Sequence, residues 1–225
     1  MYLTRMRLNT ARRGAGKLLG SPQAMHAAVL HGFPSEAAAS PEGGRTLWRL
    51  DFESRHDALL YVLSAEEPDL THLVEQAGWP TRSGGWESRR YDTLLKRLGA
   101  GQRWAFRLTA NPTRSGRNHK KEGSPTQHFG HVTAGQQVDW LLHRAERFGF
   151  TVPTGSSGEP NLALRRREQR RFHRSGSPKP VTLQFATYEG VLEVEDPESL
   201  RGALVSGIGR AKAYGCGLMT LAPAG

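Results

Sequence analysis

Three groups of residues in this chain have types and spacing suited to chemistry on a phosphate. The first is the run RRREQRRFHR, which holds Arg165, Arg166, Arg167, Arg170, Arg171 and Arg174 against the single acid Glu168. Arginine forks match phosphate oxygens and can also address guanine edges, and Phe172 and His173 add rings able to stack on a base. The second is GIGRAKAYGCGLMTL at 207–221, with Gly207, Gly209, Gly215 and Gly217 around Arg210 and Lys212. Glycine lets a backbone approach a ligand closely and take positive φ, so this segment either cradles a phosphate or turns a helix into a strand. It is not a dinucleotide fingerprint, which needs glycine where Lys212 stands, nor a P-loop, which needs lysine and a hydroxyl where Cys216 and Gly217 stand. No cofactor is expected. The third is His26, a group that titrates near neutrality and can give or take a proton. RNA is cut without a metal when its 2′-hydroxyl attacks the adjacent phosphate, which calls for a base, an acid and cations around the phosphorane. DNA lacks that nucleophile.

These groups need elements to position them. Met1 to Leu8 alternates like a strand, and Asn9 to Gly20 reads as a loop carrying Arg12, Arg13 and Lys17. Ser21-Pro22 supplies an N-cap hydroxyl and an N1 proline for a helix running to about Gly32. Met25, Ala28, Val29 and Gly32 form its apolar stripe, and His26 lies about 100° around from Met25, at the stripe's edge. Spacing alone does not select this histidine over a bystander. Arg45 to Phe52 and Ala58 to Ala65 read as paired strands, Asp69 to Ala77 as a helix, and Arg103 to Pro112 as a strand. Asn111 to Ser124 is rich in Arg, Lys, Gly and Ser and reads as a linker or mobile loop. Beyond it, Thr126 to Gly135 holds a short strand, Ala134 to Phe148 a helix, Leu162 to Arg174 and Val181 to Tyr188 two strands, with Val191 to Val194 extending the second or adding a third. Pro197 to Val205 reads as a helix and Gly217 to Leu221 as extended. The order β-α-β-β-α-β thus occurs twice, which is the ferredoxin-like arrangement. The expected class is α+β, with domains at 1–115 and 126–225 joined by a basic linker at 116–125.

The composition agrees with a polyanionic partner: 31 Lys plus Arg against 21 Asp plus Glu give +10 over 225 residues. No apolar run approaches a membrane span, and the N-terminal strand pattern lacks a secretory h-region, so a cytoplasmic protein is expected. Cys216 is the lone cysteine, which removes disulfides and multi-cysteine zinc sites. His128 and His131 are the close histidine pair, with His119 nearby; no carboxylate accompanies them, and no metal site is assigned.

The assembled residues resemble the CRISPR-associated CasE endoribonuclease family, the type I-E repeat-processing member of the RAMP superfamily. The resemblance spans nearly the whole chain and rests on MYLTRMRLN, SPQAMHAAVLHGFP, RWAFRLTANPT, QQVDWLLHRAERFGF and the glycine-rich terminal segment. It implies tandem ferredoxin-like domains, metal-independent cutting of CRISPR repeat RNA at the base of its hairpin, retention of the mature guide RNA, and assembly with the other Cascade subunits. It also places the family's catalytic histidine at His26, with a role as base or acid left open. Some relatives carry a tyrosine one turn earlier, where this chain has Gln23, which forms hydrogen bonds but is no acid near neutrality. The alternative is a non-catalytic RNA-binding subunit of the same fold. Arg12, Arg13, Lys17 and the arginine hairpin are the candidate cations for the phosphorane, and the glycine loop with Arg210 and Lys212 is expected to meet the RNA.

Overall fold

The fold is described by a computed structural model over residues 1–34, 45–79, 84–116, 127–155, 158–173 and 179–224. The first half contains β1 (Tyr2–Asn9), α1 (Arg13–Gly20), α2 (Pro22–Leu30), β2 (Leu47–Phe52), β3 (Asp57–Ser64), α3 (Thr71–Ala77), β4 (Trp86–Arg90) and α4 (Asp92–Arg97). Its strands form one antiparallel sheet in the order β2-β3-β1-β4. The alternation read in the sequence sets which face is covered: Thr4, Met6 and Leu8 point into the core while Arg5 faces water. α2 begins where Ser21 accepts a hydrogen bond from the Ala24 N–H and Pro22 occupies the first turn. Its Met25 and Val29 are buried with Met6, Leu8, Leu60 and Leu73.

The second half contains β5 (Arg103–Ala110), β6 (Thr113–Gly116), β7 (Gln127–Gly130), α5 (Ala134–Ala145), β8 (Phe150–Thr151), β9 (Leu162–His173), β10 (Pro180–Val194), α6 (Pro197–Ser206) and β11 (Met219–Pro223). The sheet runs β11-β5-β10, with β8 and β9 both on the far edge of β10. Thr133 and Gln136 close a capping box at the start of α5, and Asp196 caps α6 ahead of Pro197. Trp140, Leu141, Phe106, Leu108, Tyr188 and Leu204 share its core. Both halves are therefore ferredoxin-like.

Several expectations change. The segment 9–20 is not all loop: Arg13–Gly20 is helical, because Ala15 and Leu18, three apart, bury one face. The strand at 103–110 does not close the first sheet; it pairs with β10 and β11 and sits inside the second. The fourth strand of the first sheet is β4, whose sequence WESRR has one apolar residue and gives no hydrophobic period because it is a half-exposed edge. The short strand expected at 126–135 stands outside the main sheet and pairs only with β6 as β7. The chain thus passes from one sheet to the other between Arg97 and Arg103, ahead of the boundary expected at 115. The segment 111–124, read as a linker or mobile loop, is not all loop: Thr113–Gly116 is strand β6, held by β7, while residues 117–126, with Arg117, His119, Lys120 and Lys121 of the expected basic linker, lie outside the described residues.

The seam between the halves is built on one arginine. Arg49 of β2 is 1% exposed. Its guanidinium donates to both carboxylate oxygens of Asp51 at 2.8 Å and crosses to the second sheet, reaching the Arg107 carbonyl at 2.7 Å, the Leu218 carbonyl at 2.9 Å and Thr220 Oγ1 at 2.8 Å.

Candidate functional site

His26 lies on α2 at the rim of this seam, half-buried, with α2 packed against the 3-10 turn Lys212–Tyr214 of the glycine-rich loop. Trp48 of β2 is 2% exposed, and its indole N–H donates to His26 Nδ1 at 3.3 Å. Trp48 in turn rests on Gly215. There φ is +83°, and a Cβ would fall 2.7 Å from the indole ring, so both conformation and space require glycine. The ring that holds His26 is thus seated by the loop.

The electrostatics of this corner are cationic. Burial holds the His26 imidazole below its ordinary value, and the Arg45 charge adds to the effect. The same two causes lower the Lys212 ammonium, whose Nζ donates to the Ser206 carbonyl at 2.6 Å. Arg45 is exposed and makes no ion pair among the described residues. An anion entering here meets Arg45, Lys212 and the imidazole together.

The other glycines of the loop also face protein. Gly207 lies against Leu47, Gly209 against Trp140, and Gly217 against the Ile208 backbone. Ile208 N–H donates to the Gly217 carbonyl at 2.9 Å, and Gly217 N–H to that of Thr109 at 2.7 Å. Of the two readings of this segment, the packed turn accounts for the glycines, while exposed Arg210 is what the loop offers to solvent. Beside Arg210 is an open cavity of about 470 Å³ bordered by Phe129, Gln169, Gln184 and Tyr214.

The arginine hairpin divides. On the face toward the first half, Glu168 pairs with Arg166 at 2.9 Å and Arg170 at 2.6 Å. Arg166 covers the Phe52 ring at 4.5 Å, and Arg170 donates to the Leu19 carbonyl at the end of α1 at 3.3 Å. On this face one carboxylate is shared between two arginines, and both guanidiniums are engaged with neighbouring protein groups. On the opposite face Arg167 donates to Gln137 Oε1 at 2.9 Å and to the Val132 carbonyl. Arg165, at a register shift in the β9–β10 pairing, pairs at 2.8 Å with Glu189, which also holds Arg107. Arg171 is exposed, with no ion pair among the described residues. Arg174 lies outside them.

The N-terminal cations divide in the same way. Arg12 donates to the Val74 and Gly78 carbonyls at 3.3 and 3.1 Å and closes the end of α3. Arg13 and Lys17, one helical turn apart on α1, are exposed. His128 sits beside Ser115 at 3.3 Å, and no group of three or more metal-ligating side chains occurs among the described residues. Cys216 is buried, which pushes its thiol up and leaves it unreactive. Among the described residues no helix is long and apolar enough to cross a membrane.

Sequence reasoning missed Trp48 and Arg45. Trp48 reads as an ordinary inward strand residue, and its only signal is an indole N–H that needs a partner when buried. Arg45 precedes a strand and carries no pattern.

Tandem ferredoxin-like halves, a histidine held at their rim and unpaired cations around it define a basic nucleic-acid-processing class. The family described as CRISPR associated protein matches residues 1–223. The chain belongs to that family, as a CasE/Cse3-type member. It is 31% identical to the CRISPR-associated endoribonuclease Cse3 of Thermus thermophilus, covering 99% of this chain and 100% of that protein. It is 28% identical to the Cascade subunit CasE of Escherichia coli, covering 79% and 88%. Among solved structures, Thermus thermophilus Cse3 bound to an RNA representing a pre-cleavage complex superposes with a TM-score of 0.77 at 30% identity, covering 99% of this chain and 98% of that one.

Proposed function

We propose that this protein is the endoribonuclease that cuts CRISPR repeat RNA at the base of its hairpin and keeps the product as a subunit of Cascade in the cytoplasm. The observation that carries the reading is His26 at the rim of the seam, with Arg45 and Lys212 at hand for a phosphate. The repeat RNA supplies its own nucleophile, the 2′-hydroxyl, so the protein's tasks are to align that oxygen with the phosphorus, stabilise the phosphorane charge and manage protons. Arg171, Arg210, Arg13 and Lys17 are the cations free to track the RNA backbone. Arg165, Arg166, Arg167, Arg170 and Arg12 serve mainly to hold the protein's own elements.

The test is single-turnover cleavage of a repeat-hairpin RNA in excess EDTA by wild type and His26→Ala, with a second substrate carrying one 2′-deoxy at the cut site. Cutting by wild type alone, lost with either change, supports metal-free 2′-hydroxyl chemistry through His26. Tight binding without cutting makes the protein a non-catalytic RNA-holding subunit, the reading that Gln23 in place of a tyrosine keeps in play.

A further inference from the structure

We infer that Trp48 is a positioning residue that fixes His26 as the neutral Nε2–H tautomer, so that His26 meets the scissile phosphate as a hydrogen-bond donor rather than as a proton acceptor. This rests on His26 being the active histidine, and it settles a role that residue type alone leaves open.

An indole N–H can only donate. With Trp48 donating to Nδ1 at 3.3 Å, that nitrogen must present its lone pair, and the proton of the neutral ring resides on Nε2. The imidazolium would set N–H against N–H, so Trp48 opposes protonation in the same direction as burial and Arg45. The groups brought by the elements around α2 do not reverse this. α1 carries Arg13 and Lys17, the glycine loop carries Lys212 and Tyr214, and α3 carries His72, which bonds the Ala28 carbonyl and meets the His31 ring. No carboxylate pairs with His26 among the described residues. Trp48 cannot turn away easily, because it is buried and backed by Gly215.

The step follows from this tautomer. The O2′–P bond forms as the P–O5′ bond breaks. The 2′ proton passes to hydroxide or water, and O5′ takes a proton from water. His26 neither gains nor loses a proton: Nε2 already holds one, and releasing it would leave an imidazolate. It stabilises the oxygen that gains charge, alongside Arg45 and Lys212.

Two measurements on the full chain test this. The first is ¹⁵N NMR of the histidine rings in wild type and Trp48→Phe, which keeps an aromatic ring and deletes the N–H. The expected result is Nε2–H in wild type, and in the variant a tautomer mixture with a raised His26 pKa. A wild-type ring protonated on Nδ1, or an unchanged tautomer and pKa in Trp48→Phe, overturns the proposal. The wild-type spectrum needs no variant to fold and no RNA to be cut, so its outcome is separate from that of the nuclease reading. The second is the pH dependence of single-turnover cleavage. A neutral donor with hydroxide as base predicts a wild-type rate that keeps climbing about tenfold per pH unit above the His26 pKa, and Trp48→Phe should level off there as Nε2 becomes free to accept. A wild-type plateau at the His26 pKa overturns the proposal in favour of general-base catalysis.

Discussion

Arg49 and Arg171 are the same residue type on two strands of this fold, and they do opposite things. Arg49 is enclosed, with donors committed to Asp51, two carbonyls and Thr220. Arg171 is exposed and makes no ion pair among the described residues. The seam interior uses cations to join two sheets, whereas exposed cations such as Arg45, Arg171 and Arg210 make no ion pair among the described residues and leave positive charge for an outside anion. A basic residue is a ligand-binding candidate only when its hydrogen-bond donors are not already spent on the fold.

That division is open to attack, because a rim substitution should change function and spare stability, and a seam substitution should do the reverse. The largest effect expected is at the rim. His26→Ala should slow single-turnover cleavage by about 10²–10³-fold, the loss expected when one donor to the developing charge is removed, with the melting temperature and RNA affinity near wild type; a comparable loss of stability would move His26 to the seam. Next, Arg49→Met should cost about 3–5 kcal/mol in denaturant unfolding. It strands the carboxylate of Asp51, whose side chain is 3% exposed, with only Arg107 at 3.2 Å left beside it. Arg49→Met with Asp51→Leu should recover much of that loss, since the unpaired charge is gone.

A finer comparison sets two arginines predicted as equivalent against each other. Arg171→Ala should lower the slope of log affinity against log salt by about 0.9, as one phosphate contact is lost from duplex RNA, without shifting the melting temperature. Arg12→Ala should do the opposite, costing about 1 kcal/mol of stability through the freed α3 carbonyls and leaving the salt slope alone. The smallest effect is on pH. His26 titrates below its ordinary 6.5 when folded, so on acidification the unfolded chain takes up the proton first. Stability should therefore fall as pH drops below 6.5 toward the folded value, and His26→Ala should flatten that portion of a melting-temperature profile.

Much of this was legible along the chain. The Ser21-Pro22 helix start, the alternation of 1–8, the capped helix at 134 and the long basic hairpin all follow from local rules, because caps, prolines and period-2 burial act within a few residues. β4 was not legible: an edge strand with one apolar residue has no pattern to read, and its absence pushed Arg103–Ala110 into the wrong sheet. The pairing of Glu168 with Arg166 and Arg170 was available from i±2 spacing on a strand face, but counting charge along the run concealed it.

The sequence by itself determined the Ser21-Pro22 helix start, the positive charge and His26 as the candidate for proton chemistry, since these depend on residue type and short-range spacing. Only the tertiary structure decided which arginines are spent and which are free, and which nitrogen of His26 is held. Those outcomes depend on contacts such as Trp48 to His26, Arg49 to Leu218 and Arg170 to Leu19. Hydrogen bonds are satisfied in space, between groups whose separation along the chain carries no signal.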